Sequence, residues 1–203
     1  MTKKLNLQIR QGETFQRIIR WERPPFIYKP ITAISQSGPV QITAMGHGLA
    51  SGWRVAVVTA GGMDEINASH DPPRDNEFHQ ATMLDGDNVT INDINSSDFS
   101  KYTDGGYLQF YTPVDLTGFT AEIDIKDKIG GNVLMTLNTT NGRILLDQSN
   151  HTITLFIGAE DTSSDVLMWK RGVWDLEMTS PTGQVTTLFS GTVSVVKEVT
   201  TVQ

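Results

Sequence analysis

Apolar and polar residues alternate along several separate stretches of this chain. Leu5, Leu7 and Ile9 alternate with Lys4, Asn6, Gln8 and Arg10, and Phe119, Ala121, Ile123 and Ile125 alternate with Thr120, Glu122, Asp124 and Lys126. The same period returns at Ile153, Leu155 and Ile157, and again at Trp174, Leu176 and Met178. A period of two sends successive side chains to opposite faces of extended backbone, so each stretch predicts a half-buried strand. Turn-forming pairs punctuate these runs: Gln11-Gly12, Gly130-Gly131, Asn141-Gly142, Ser149-Asn150 and Pro181-Thr182-Gly183. Asn141-Gly142 predicts a tight type I′ hairpin, which needs positive φ at both central residues. Short strands at a spacing of about ten residues predict an all-β sandwich or barrel. Only residues 160–171 read as helical, with Asp161 or Thr162 as the cap and Gly172 closing the end.

The middle of the chain has a different texture. Residues 31–112 are richer in Gly, Ser, Asn, Asp and His, and Arg23-Pro24-Pro25 precedes them while Thr112-Pro113 ends them. Proline disfavours helix and fits extended connections. The organisation expected is a discontinuous β-sandwich, residues 1–30 with 113–203, carrying a small β-barrel at 31–112.

Charge and composition narrow the chemistry. The 203 residues hold 16 Lys+Arg against 23 Asp+Glu, a formal net charge of −7, and no cysteine. Phosphate-backbone binding needs clustered Lys and Arg, so no nucleic-acid partner is expected. Without cysteine there are no disulfides, thiolate metal sites or thiol nucleophiles. Apolar runs such as Val55-Ala56-Val57-Val58 fall far short of the roughly 20 residues that span a bilayer, so membrane insertion is not expected either. The Met-Thr-Lys-Lys start has no apolar core behind it and does not read as a signal peptide.

Each candidate reactive group has a bland reading that suits it better. His47, between Gly46 and Gly48, fits a turn whose imidazole bonds a nearby backbone group. His70 and His79, with Asp71, Asp75 and Glu77 nearby, match no metal-ligand spacing. Asp85-Gly86-Asp87-Asn88 resembles the opening of a calcium loop, but Thr90 and Ser96 stand where that loop needs Gly and Glu, so a turn is expected. Asp64 and Glu65 are neighbours and cannot face each other across a cleft. There is no Gly-x-Ser-x-Gly elbow and no phosphate loop. The reading is therefore not an enzyme, with no catalytic residue, no metal and no cofactor. Trp21, Trp53, Trp169 and Trp174, with Phe26, Tyr28, Phe110 and Tyr111, are the residues from which a sugar-stacking surface would be built. Trp21 and Trp174 fit core burial.

Two resemblances rest on particular motifs. Leu5-Asn6-Leu7-Gln8-Ile9-Arg10-Gln11-Gly12-Glu13-Thr14-Phe15, then Val114-Asp115-Leu116-Thr117-Gly118-Phe119-Thr120-Ala121, then Trp174-Asp175-Leu176-Glu177-Met178, Pro181-Thr182-Gly183 and Gly191-Thr192-Val193-Ser194-Val195, lie in one order and spacing. They resemble the N-terminal β-sandwich of tailed-phage upper baseplate proteins over residues 1–28 and 113–203. Ile31 to Thr43, Gly46-His47-Gly48-Leu49, Gly61-Gly62-Met63-Asp64-Glu65-Ile66-Asn67 and Tyr102-Thr103-Asp104-Gly105-Gly106-Tyr107 resemble a small β-barrel repeat of phage proteins. That repeat is similar in fold to the first catalytic-cysteine half-domain of ubiquitin-activating enzymes, without its cysteine. From Ala68 to Asn95 the resemblance fades and a protruding loop is expected.

The resemblance implies an immunoglobulin-like sandwich with an inserted barrel, in a virion component assembled in the host cytoplasm. The implied role is a tail or baseplate adaptor that joins tail hub, baseplate or fibre proteins, present in multiple copies around a symmetry axis. A receptor- or carbohydrate-binding module on the tail or head surface is the alternative. The residues expected at interfaces are Phe26, Tyr28, Phe110 and Tyr111, where the chain crosses between domains, and Val193 and Val195. The run Thr192 to Val202 is expected to offer a free strand edge or an extending arm.

Overall fold

The computed structural model describes residues 3–197, and among them the fold is all-β. Strands β1 (Lys3–Lys4), β2 (Leu7–Arg10) and β3 (Phe15–Arg20) come first. Seven strands come next: β4 (Glu22–Pro30), β5 (Ala33–Ile34), β6 (Val40–Thr43), β7 (Arg54–Ala60), β8 (His79–Met83), β9 (Asn88–Ile91) and β10 (Gly105–Pro113). The last six are β11 (Thr120–Lys126), β12 (Val133–Asn138), β13 (Ile144–Asp147), β14 (Thr152–Ile157), β15 (Arg171–Thr179) and β16 (Val185–Val196). The chain divides into two compact units, an outer one running up to Trp21 and from Asp115 onward, and an inner one of Glu22–Val114.

The outer unit holds two sheets. The larger runs β1-β16-β15-β11-β12, with β2 also pairing β16, and the smaller runs β13-β14-β3. Ala121, Ile123 and Ile125 on β11, and Trp174, Leu176 and Met178 on β15, are all 3 % exposed or less, while Glu122, Asp175 and Glu177 between them face water. Ile153, Leu155 and Ile157 bury the inner face of β14 in the same way. The alternation in the sequence is thus the burial pattern of a sandwich-like core.

The ends of the outer unit close on one another. β1 and β2 both pair β16 in parallel, Lys3 beside Phe189 and Leu7 beside Val193. β15 pairs Thr192 to Ser194 and β2 pairs Val193 to Val196, so Val193 and Ser194 are flanked on both sides and the run from Thr192 to Val196 is no free edge. Parallel pairing at this sequence separation leaves no local sign, which is why the run has the look of an edge in sequence. Residues 198–202 of the expected arm lie outside the described residues.

The inner unit is one sheet in the order β4-β10-β7-β8-β9-β6-β5. The two ends of that path, β4 and β5, are separated in sequence only by Ile31 and Thr32. Ile31 N–H donates to Gly106 O at 3.0 Å and Thr32 N–H to Thr43 O at 2.9 Å, so this two-residue link continues the β4–β10 pairing on one side and the β5–β6 pairing on the other. The unit has one hydrophobic core that includes Val40, Ile42, Trp53, Val55, Val57, Met63, Val89, Ile91, Leu108 and Phe110.

The division between units falls at 21/22 and 114/115 instead of 30/31 and 112/113. β4 pairs β10 over its length, from Tyr107↔Pro30 to Pro113↔Glu22, so residues 22–30 belong to the inner sheet. The register shifts between Tyr111↔Phe26 and Thr112↔Arg23, leaving Pro24 and Pro25 in a bulge. A bulge is where a strand tolerates residues without an N–H, so these prolines interrupt the ladder without ending the strand.

Two local expectations are corrected. Residues 160–166 form successive turns, 167–170 run without regular structure and Arg171 opens β15, so no helix forms. The Thr162 hydroxyl donates to Glu13 O at 2.7 Å and lies 3.0 Å from Ala159 O, and Ser163, Ser164 and Asp165 come directly after it, residues that compete for backbone bonds. Asn141-Gly142 is not a hairpin turn but joins β12 to β13, which lie in different sheets. Of the two, only Gly142 has positive φ, at 75°.

Candidate functional site

The aromatic residues of the inner unit gather on the outer face of β4 and β10. Leu108 and Phe110 point into the core, so Tyr107, Gln109 and Tyr111, alternating with them, lie on the opposite face. Across the strands Gln109 pairs with Tyr28 on one side and Ala56 on the other, and Tyr111 pairs with Phe26. Phe26 and Tyr111 have ring centroids 4.3 Å apart, and Phe78 stacks on Tyr111 at 5.4 Å. Tyr28 meets Phe26 at 6.4 Å and Tyr107 edge-to-face at 6.1 Å. Such edge-to-face and offset arrangements are favoured by the ring quadrupoles.

One end of this array is closed and the other is open. At the closed end Arg54 lies over Phe78, 5.6 Å from the ring centroid. Its Nε donates to Glu22 Oε1 at 3.1 Å, Nη2 bonds the same oxygen, and Nη1 is 3.6 Å from Asp75. Burial works against the Arg54 charge, but the hydrogen bond and charge of Glu22, with Asp75 behind, outweigh it and hold the guanidinium above its usual range. At the open end Tyr28 and Tyr107 are 49 % and 43 % exposed. Gln109 is 1 % exposed, and its Nε2 has no hydrogen-bond partner.

Of the six residues expected at interfaces, Phe26, Tyr28 and Tyr111 come together here. Phe110 sits on the same strand but in the core, at 2 % exposure. Val193 is 1 % exposed and belongs to the outer unit's own core, and Val195 is half-buried beside Ile9. Three members of the surface do not stand out in the sequence. Tyr107 is hidden at the end of a glycine turn motif, and Gln109 shows itself only by its place between Leu108 and Phe110. Phe78 arrives from a loop distant in sequence.

The polar candidates are turn and loop fixtures. His47 is buried, its Nδ1 accepting from Leu49 N–H at 2.9 Å and its Nε2 at 3.0 Å from Asp85 O, so the Nε2–H tautomer satisfies both bonds. His70 turns to Glu77 at 3.0 Å and His79 to Asp93 at 2.7 Å, so the two imidazoles serve different carboxylates. Glu77 accepts Arg74 N–H and Ser69 N–H, each at 2.7 Å. The Arg74 backbone donor first, then His70, pull its carboxyl down to about 2. Asp85 accepts the N–H groups of Asp87 and Asn88, each at 2.8 Å, and these lower its pKa in the β8–β9 turn. Asp64 and Glu65 lie in a single 3₁₀ turn, where Glu65 accepts both N–H and Oγ–H of Ser100 at 2.9 Å. Among the described residues no three His, Asp or Glu side chains form a group that could hold a metal ion.

Trp53 and Trp174 are core residues, at 1 % and 3 % exposure, and Trp21 packs edge-on to Phe119 at 5.7 Å. No known family model matches this chain, and no curated protein is similar to it.

Proposed function

We propose that this protein is a structural adaptor of a tailed-phage particle, in which an immunoglobulin-like sandwich carries an inserted small β-barrel and joins tail, baseplate or fibre proteins. The observation that carries the reading is the way the inner unit is attached. Its first and last strands, β4 and β10, are antiparallel neighbours, with Glu22 opposite Pro113 at the point where the chain enters and leaves. An insert whose chain leaves and returns at adjacent backbone positions can be carried by a host fold without disrupting it, which suits a modular building block of an assembly. The motifs of residues 1–28, 113–203 and 31–107 support the same class. Copies arranged around a symmetry axis would add modest interfaces into a stable assembly.

The test is to purify intact particles from a lysate in which the chain is made with its own phage proteins. The expected result is that the chain co-sediments with particles at a fixed stoichiometry, and that particles made without it lack the component attached through it. Particles complete in structure and infectivity without the chain would refute the adaptor reading.

A further inference from the structure

The outer face of β4 and β10 presents an unusual combination. Two tyrosines stand half exposed at its rim, and Gln109, opposite Tyr28 in the register and two residues from Tyr107 on the same face, is an amide donor shut from water with no acceptor. Buried polar groups are nearly always bonded, and an orphan costs free energy that an apolar residue at the same place would not. A glutamine here is explained by an acceptor that arrives from outside. Arg54 at the closed end is paired with Glu22 and Asp75, and Lys29, which alternates with Tyr28 along β4, donates to Gly46 O at 2.6 Å. The face therefore offers aromatic surface, phenol hydroxyls and one unsatisfied amide.

We propose that this face binds a neutral saccharide. A pyranose ring has an apolar face of C–H groups and a rim of hydroxyls. The first matches a tyrosine ring, and the second supplies the oxygen that Gln109 Nε2 lacks. Tyr28 and Tyr107 stand perpendicular to one another, at 90°, so one ring forms a floor and the other a wall. Exposed side chains change rotamer within nanoseconds, so the two can part to let a hydroxyl reach the amide, while Phe26, Tyr111 and Phe78 behind them stay packed. Binding sites commonly combine aromatic walls with a few placed polar groups. This inference is independent of the adaptor reading, since either stands if the other fails.

The test uses the full chain on a printed array of neutral and acidic oligosaccharides, with maltohexaose, cellohexaose and chitohexaose titrated in solution and followed by the side-chain amide signals of Gln109. Saturable binding of a neutral glycan that moves those signals is expected. Tyr28→Ala and Tyr107→Ala should each weaken it at least tenfold with the melting temperature kept. Gln109→Leu separates binding from folding: the free protein should be as stable as the parent or more so, while affinity falls about fivefold for one lost hydrogen bond. A blank array together with blank titrations overturns the proposal, as does binding that persists in the double tyrosine variant. Loss of particle assembly in the tyrosine variants with no glycan bound also overturns it, and assigns the face to a protein contact.

Discussion

Replacing Gly191 with alanine should loosen the N-terminal strands from β16 while leaving both cores intact. A methyl group built on Gly191 would lie 2.0 Å from the Leu5 carbonyl oxygen and 3.0 Å from Asn6 Oδ1. Carbon–oxygen contacts ordinarily sit at about 3.3–3.6 Å, so the Leu5-Asn6 link must retreat by more than an ångström. Three hydrogen bonds depend on its present place: Leu5 N–H to Ser190 O at 3.0 Å, and the N–H and hydroxyl of Thr192 to Asn6 Oδ1 at 3.1 and 3.0 Å. Stretched by that amount, each passes beyond bonding distance. At about 0.5–1.5 kcal/mol apiece, their loss destabilises the outer unit by roughly 1.5–4.5 kcal/mol. Urea unfolding measures the total, and amide hydrogen exchange at Leu5 and Thr192 locates it. Gly86→Ala is the control, because nothing lies within 4 Å of the added methyl and its φ is unexceptional. It should stay within about 0.5 kcal/mol of the parent. Parental stability for Gly191→Ala, with unchanged exchange at those two amides, would refute the crossing of Leu5 over Gly191.

Other outcomes rest on single residues. Glu77 has its carboxyl lowered from 4.5 to about 2 in the fold, so its contribution is complete above 4.5 and disappears as pH falls toward 2. Glu77→Gln should flatten the pH dependence in that window, read as amide exchange at Ser69 and Arg74. Ser96 is fully buried and its hydroxyl serves Ser37 N–H at 3.1 Å, Ser35 O at 2.7 Å and Ser37 O at 3.0 Å, so Ser96→Ala should cost the inner unit about 1–3 kcal/mol in chemical unfolding. Leu176→Ala, at a position with 0 % exposure, should cost about 2–5 kcal/mol, whereas Met168→Ser, at 82 % exposure, should leave the unfolding midpoint within error.

Periodicity carries most of the fold because burial on a sheet repeats every second residue; β11 and β15 keep that repeat throughout, and β14 keeps it from Ile153 on. What it does not carry is pairing between distant segments. Val193 and Val195 look exposed in sequence because nothing near them announces Leu7 and Ile9 as their neighbours. The prolines at 24 and 25 look like a boundary because the bulge that accommodates them exists only opposite Thr112. The aromatic face is half visible for the same reason. Phe26, Tyr28 and Tyr111 are conspicuous as aromatics, but Gln109 becomes notable only when the ladder sets it between Tyr28 and Ala56.

The parallel seam of β1 and β2 against β16 also governs how the outer unit bears load. A pull on the chain at Lys3 and an opposing pull at Val196 act along the seam in opposite senses. They shear the six residue pairs from Lys3↔Phe189 to Arg10↔Val196. Sheared bonds share the force and must slip as a group, where peeled bonds fail one at a time. Pulled at those two points, the outer unit would therefore behave as a stiff mechanical clamp that resists extension before its core is exposed.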